Sequence, residues 1–245
     1  MVKGVVFDLG DTLVTQEPLV GGDASYIGAR NIEPLLAEHA LTALDSDQVA
    51  DYIGEALLDA MVRSYDGSLA QPDVHEVFCE VLAGFDCQLP EGVMYRVMDA
   101  YFAPYYERME NIGEVVATLT FARALGLKLG LLANVLWGEE MLYKRLTSLG
   151  IVQFMNATSF SSQLGWLKPY PSTFTGILSR MGLEPNEVVM VGDDLVTDIQ
   201  GAHNIGMGCV WMNRGEVSGG VHSELAAFEI HDIRQLLPAV AEMMQ

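Results

Sequence analysis

Val5, Val6 and Phe7 form a short, unbroken apolar run that stops at Asp8 and then breaks into Gly10, Asp11 and Thr12. A run of that length bounded by turn residues reads as a parallel strand buried on both faces, which requires helices above and below it. The same arrangement recurs. LKLGLLAN ends in Ala133-Asn134, and EVVMVGDD ends in Gly192-Asp193-Asp194, with Asp198 shortly after. Amphipathic segments separate these runs: one through Val115, Val116, Leu119 and Ala122 ending at Gly126, one from Glu139 to Ser148, and one from Pro171 to Met181. A further strand is expected near Phe154 to Ser159, a helix after Asp198, a strand over GCVWM, and a closing helix from Ile233 to Met244. This alternation predicts an α/β fold with a doubly wound parallel sheet and right-handed crossovers. Ligands of such sheets bind at the carboxyl ends of the strands, where Asp8 would sit.

Between residues 17 and 109 the pattern changes. Apolar residues fall at three- and four-residue spacing: Ile32, Leu35, Leu36 and His39; then Val49, Ile53, Ala56, Leu57 and Ala60; then Val74, Val77, Phe78 and Val81. These are helical faces. Gly21-Gly22, Gly67 and Pro90-Glu91-Gly92 punctuate them, a fourth helix is expected over Val93 to Phe102, and Pro104 marks the return. The chain therefore divides into an α/β core, residues 1–16 and 110–245, and an all-helical insertion, residues 17–109.

With 13 Lys and Arg against 33 Asp and Glu, the formal net charge is -20. Such a surface argues against nucleic-acid backbones and anionic membranes as partners, and an anionic substrate has to be held by local cations. Half of the residues are hydrophobic. Even so, the richest stretch, Val115 to Trp137, is broken by Arg123 and Lys128, and Asp8 and Asp11 interrupt the amino terminus. Neither a membrane span nor a signal peptide is expected. Cys79, Cys87 and Cys209 are odd in number and scattered, which fits reduced thiols and a cytoplasmic location.

Polar residues cluster at the predicted strand ends: Asp8, Asn134, Asp193, Asp194 and Asp198, with Lys168 in the loop GWLKPYPSTF. Each has a plain structural reading as well. Asp8 and Asn134 are turn formers, Lys168 suits a solvated surface, and Asp193-Asp194 suits a helix N-cap. Together on one sheet edge they point to a site. Two carboxylates ~4 Å apart repel by roughly 4 kcal/mol at an effective dielectric of 20, so Asp8 beside Asp193 calls for a cation between them. An oxygen-only donor set suits Mg²⁺, whereas the five histidines show no ligand spacing. Lys168 offers a point charge to a nucleophile and to a phosphoryl oxygen.

FDLGDTL, LLAN, LKP and VGDDLVTD, in that order, resemble the four motifs of the haloacid dehalogenase (HAD) superfamily, most of whose members are magnesium-dependent phosphatases. The resemblance covers residues 1–16 and 110–245, and the helical insertion resembles that family's cap. It implies that Asp8 is the nucleophile forming an aspartyl-phosphate and that Lys168 balances charge. It implies Mg²⁺ as cofactor, held by Asp8, the Gly10 carbonyl and Asp193, with Asp198 and Asp194 behind them, and Asn134 and Lys168 toward a small phosphorylated metabolite. Tyr26, Arg30, Arg63 and Tyr65 in the cap are candidates for substrate contact or for packing, as are Trp137 and Trp166 beside Asn134 and Lys168.

Two positions depart from the family pattern. Its phosphatases usually carry a general acid and base two residues after the nucleophile, where this chain has Gly10; Asp11 follows as the candidate replacement. The Ser or Thr that usually bonds the phosphate in the second motif is Ala133. The expected function is a phosphatase acting on a small phosphate ester. The alternatives are a dehalogenase or phosphonate-cleaving hydrolase, which also lack the second Asp, and a non-catalytic module binding Mg²⁺ and a phosphorylated ligand.

Overall fold

Gly4–Phe7 forms strand β1, every residue of it buried. In the computed structural model, which describes residues 1–39, 45–215 and 222–243, β1 is joined by β2 (Lys128–Ala133), β3 (Ala157–Phe160), β4 (Val188–Gly192), β5 (Gly208–Met212) and β6 (Phe228–Ile230). Their order is β3-β2-β1-β4-β5-β6 and every pairing is parallel. The sequence-derived fold is the observed one. The chain builds outward from β1 on one side through β2 and β3, then returns to build outward on the other through β4, β5 and β6. The order thus reverses between β1 and β4, where the connections diverge and leave a crevice at the carboxyl edge.

Register fixes what stands at that edge. Phe7 pairs with Leu131 on one side and Val191 on the other, so Asp8 emerges level with Gly192, and its N–H donates to the Val191 carbonyl at 2.9 Å. Helix α8 (Pro171–Met181) packs Phe174, Ile177, Leu178 and Met181 into the same core as Val6, Leu132, Met190 and Trp211. It begins on a proline, whose missing N–H costs nothing in a first turn, and ends at Gly182 in the left-handed conformation.

Three expectations shift in detail. The strand expected from Phe154 starts at Ala157, because the amides of Phe154 and Met155 are bonded back to Ile151 and Val152 in a tight turn. The helix expected after Asp198 already contains it, since a π-helical turn over Leu195–Gln200 leads into α9 (Gly201–Asn204). The closing helix α10 spans Leu236–Met243 after a single tight turn at Ile233–Gln235, and Met244 lies outside the described residues. Strand β6 had no visible signal, being three residues with one fully buried position.

By its internal contacts the chain forms two compact units. One holds Met1–Thr15, Glu110–Asn134 and Leu146–Gln245; the other holds Gln16–Met109 with Val135–Arg145. The second is helical: α1 (Asp23–Ala37), α2 (Ser46–Asp66), α3 (Val74–Ala83) and α4 (Glu91–Glu107). Asp45 and Asp73 cap α2 and α3 by accepting the Asp47 and Glu76 amides. Gly28 lets α1 approach α4 closely, since a Cβ there would stand 2.3 Å from the Tyr101 carbonyl oxygen. Phe78, Tyr101 and Phe102 pack around that crossing. His39 does not share the buried face of Ile32 and Leu36: α1 ends at Ala37 and His39 is exposed. Pro104 does not end α4 either. The Ala100 carbonyl, left without a helical donor by the proline, accepts Asn31 Nδ2 at 3.3 Å instead, and the helix runs on to Glu107.

Candidate active site

Strand ends supply the site's carboxylates. Asp8 follows β1 and Asp193 follows β4, while Asp198 comes back from the π-helical turn to the same place; one oxygen of each lies within 4.8 Å of the others. Asp198 can approach because residue 192 is glycine: a Cβ there would stand 2.3 Å from Asp198 Oδ2. The loop after α7 (Ser161–Leu164) brings in Lys168, whose Nζ donates to Asp8 Oδ1 at 2.5 Å and to Asp198 Oδ1 at 2.6 Å. Lys168 is 2% exposed and Asp198 1%, so neither pair is screened by bulk water.

The charges respond to this crowding. Burial pushes the Lys168 ammonium pKa down, but Asp198 and then Asp8 more than offset it and hold it above the ordinary lysine range. Lysine therefore stays charged. Burial raises the Asp193 carboxyl, and the charges of Asp8 and Asp198 raise it further. Burial likewise raises Asp198, against the opposing pull of Lys168. Three carboxylates share one ammonium, and their crowding favours protonation of Asp193 and Asp198 unless a further cation is present.

The family model for haloacid dehalogenase-like hydrolases matches residues 2–206. The chain belongs to this family. Among relatives, it is 29% identical to a glyceraldehyde 3-phosphate phosphatase of Methanopyrus kandleri, over 99% of both chains. It is also 29% identical to a phosphoglycolate phosphatase of Yersinia pseudotuberculosis, over 98% of this chain and 93% of the relative. A HAD phosphatase of Thermococcus onnurineus shares the fold with a TM-score of 0.68 at 23% identity, covering 98% of each chain. A 2-haloacid dehalogenase of Pseudomonas syringae shares it at 0.72 and 24% identity, covering 99% of each.

In this hydrolase the remaining predicted residues stand apart from the carboxylate cluster in instructive ways. Asp194 is a helix cap: its Oδ1 accepts the amides of Val196 and Thr197 at 2.8 and 2.7 Å, and its own N–H donates to Asp198 Oδ2 at 3.2 Å. The N-cap reading of the Asp193-Asp194 pair thus holds for Asp194, and Asp193 belongs to the carboxylate cluster. Asn134 grips the backbone of Lys168, its Oδ1 accepting the Lys168 N–H at 2.8 Å and its Nδ2 donating to the Lys168 carbonyl at 3.3 Å. Asp11 has a left-handed backbone, φ 51°, and its exposed carboxylate accepts from Arg214 Nη1 at 3.4 Å. It does not join the cluster around Asp8. Gly10 lies in the turn between them, bridged to Val14.

Several supporting residues went unread in the sequence. Thr12, fully buried, directs its hydroxyl at Asp193 Oδ1 from 3.4 Å, and Trp211 at the end of β5 donates its indole N–H to the Asp193 carbonyl at 2.8 Å. A hydroxyl just after the first strand and a tryptophan at a strand end were the available signals. In the helical unit, Tyr26 and Arg30 donate to Asp51 and Asp47, each at 3.1 Å, and Arg63 pairs with Asp59. Trp166 stacks on Tyr170 with centroids 4.2 Å apart. No helix is long and apolar enough to cross a membrane among the described residues.

Proposed function

We propose that this hydrolase is a Mg²⁺-dependent phosphatase that cleaves a small phosphorylated metabolite through an aspartyl-phosphate on Asp8. One observation carries the reading: three carboxylates, Asp8, Asp193 and Asp198, converge at the switch point of the sheet where a single buried cation, Lys168, pairs with two of them. That donor set fits a divalent hard cation. Asp8, Asp193 and the Gly10 carbonyl would hold it. Asp198, with one oxygen on Lys168 and the other on the Asp194 amide, positions rather than ligates. When bound, Mg²⁺ neutralises charge on the phosphoryl oxygens.

Asp8 attacks phosphorus through its carboxylate, forming the O–P bond as the ester oxygen departs with its electron pair and takes a proton from solvent water. Water then cleaves the acyl phosphate and restores the carboxylate. Lys168 steadies Asp8 and the developing charge, and Asn134 holds Lys168 in place. The α/β part, residues 1–16 and 110–245, carries the chemistry. The helical part, 17–109, serves as the cap that selects the substrate, in the cytoplasm. Phosphate release from an aryl phosphate should require Mg²⁺ and disappear in Asp8→Asn; release without added metal in the presence of EDTA would refute the metal role.

A second reading is favoured by Gly10 at the place of the acid and by Asp11 turned to Arg214. A dehalogenase or phosphonate-cleaving hydrolase needs no acid there. Halide release from a 2-chloro acid in EDTA, without phosphate release from any ester, would establish that reading over the first.

A further inference from the structure

Asn134 and Val135 are neighbours in sequence but belong to different units. On one side of that peptide bond, Asn134 holds both backbone polar groups of Lys168. On the other, the segment through Trp137 is fastened to the helical unit at every residue. Gln71 Nε2 donates to the carbonyls of Val135 and Leu136 at 3.1 and 3.4 Å. Three groups on α4 take Trp137: Tyr106 donates its hydroxyl to the Trp137 carbonyl, Asp99 Oδ1 accepts the indole N–H at 2.9 Å, and Tyr95 stacks on the ring at 5.7 Å with planes 10° apart. A solvent-facing loop gains nothing from so many fastenings.

We propose that Trp137 is a positioning residue through which α4 of the helical unit sets the placement of Asn134, and so of the Lys168 backbone. The inference rests on the site reading above. Only Val135 and Leu136 separate Trp137 from Asn134, and a tether that short cannot absorb a displacement without passing it on. A shift of about 1 Å in a catalytic lysine is enough to cost on the order of 10²-fold in rate. Binding in the helical unit thereby reaches Lys168 along the chain itself.

The primary test is amide hydrogen exchange at Lys168, whose N–H is bonded to Asn134 Oδ1. Trp137→Phe keeps a stacking ring and removes the bond to Asp99. It should speed exchange at Lys168 by about tenfold with the unfolding midpoint unchanged. Asp99→Leu should reproduce this, and Asp99→Asn, which retains an acceptor oxygen, should restore wild-type exchange. Turnover of an aryl phosphate gives the second readout. Trp137→Phe should lower kcat more than it changes KM, and it should have no further effect in an Asn134→Ala background. Unchanged exchange at Lys168, or additive effects in the double variant, would overturn the proposal. If the wild-type protein releases no phosphate, the phosphatase reading fails and the exchange measurement alone decides this one.

Discussion

Replacing Lys168 by Met and Asp8 by Asn should move stability very differently, although the two side chains form one ion pair. Lys168 attracts Asp8 and Asp198 from 2.5 and 2.6 Å, about 6.5 kcal/mol each at an effective dielectric of 20. The three carboxylates stand within 4.8 Å of one another, so each pair repels by at least about 3.5 kcal/mol on the same scale. Asp8→Asn therefore gives up one attraction of about 6.5 and relieves two repulsions worth about 7 kcal/mol together. The net is near zero, or slightly stabilising. Lys168→Met removes both attractions and relieves only the desolvation of the buried ammonium, so the carboxylates must take up protons to stay buried. Breaking a buried pair this way typically costs about 3–5 kcal/mol, which in a chain of this size lowers Tm by roughly 6–20 °C. The assay is thermal unfolding of both variants in EDTA at neutral pH and again near pH 4.5. The loss in Lys168→Met should shrink at the acid pH, where the carboxylates protonate. Turnover should vanish in Asp8→Asn despite its intact stability. Equal Tm losses in the two variants, or none in Lys168→Met, would refute the charge balance.

Without metal, the raised folded-state pKa values of Asp193 and Asp198 favour the protonated fold, so their contribution is present below the unfolded value near ~3.9 and is lost as pH rises toward about 8. Tm in EDTA should fall across that window, and Mg²⁺ should flatten the slope; a rise in Tm with pH in EDTA would contradict it. Gly192→Ala should cost at least tenfold in turnover, because its Cβ would displace the Asp198 carboxylate, and unaltered kinetics would show that Asp198 is not needed where it stands. Because Asp11 faces Arg214 rather than the cluster, Asp11→Asn should change aryl phosphate turnover less than threefold, and alkyl phosphates should be much poorer substrates than aryl ones. A flat dependence on leaving group would point to an acid elsewhere.

The parallel sheet was legible because its three central strands are almost wholly apolar, Lys128 at the start of β2 apart, and end in turn residues. Strand β6 was not, since a three-residue edge strand with one buried position leaves no periodicity to read. The end of α4 was misjudged at Pro104 because sequence shows the lost N–H but not the distant Asn31 that satisfies the orphaned carbonyl. In the candidate site, Asp8 and Asp193 were visible at strand ends, Asp198 just after one and Lys168 in a loop, and the four come together. Asp194 was not separable from Asp193 in sequence, because an aspartate that caps a helix and one that joins a carboxylate cluster are the same residue type.

What separates the two is the local backbone, and the separation has a consequence for the charge balance. Asp194 spends its carboxylate on two amides of the first helical turn and its own N–H on Asp198. It thus fixes the turn that carries Asp198 back over Gly192, and from outside the cluster its charge adds to what raises the Asp198 carboxyl. The Asp-Asp pair works because its members point different ways, one holding charge at the strand end and the other holding the helix that completes it.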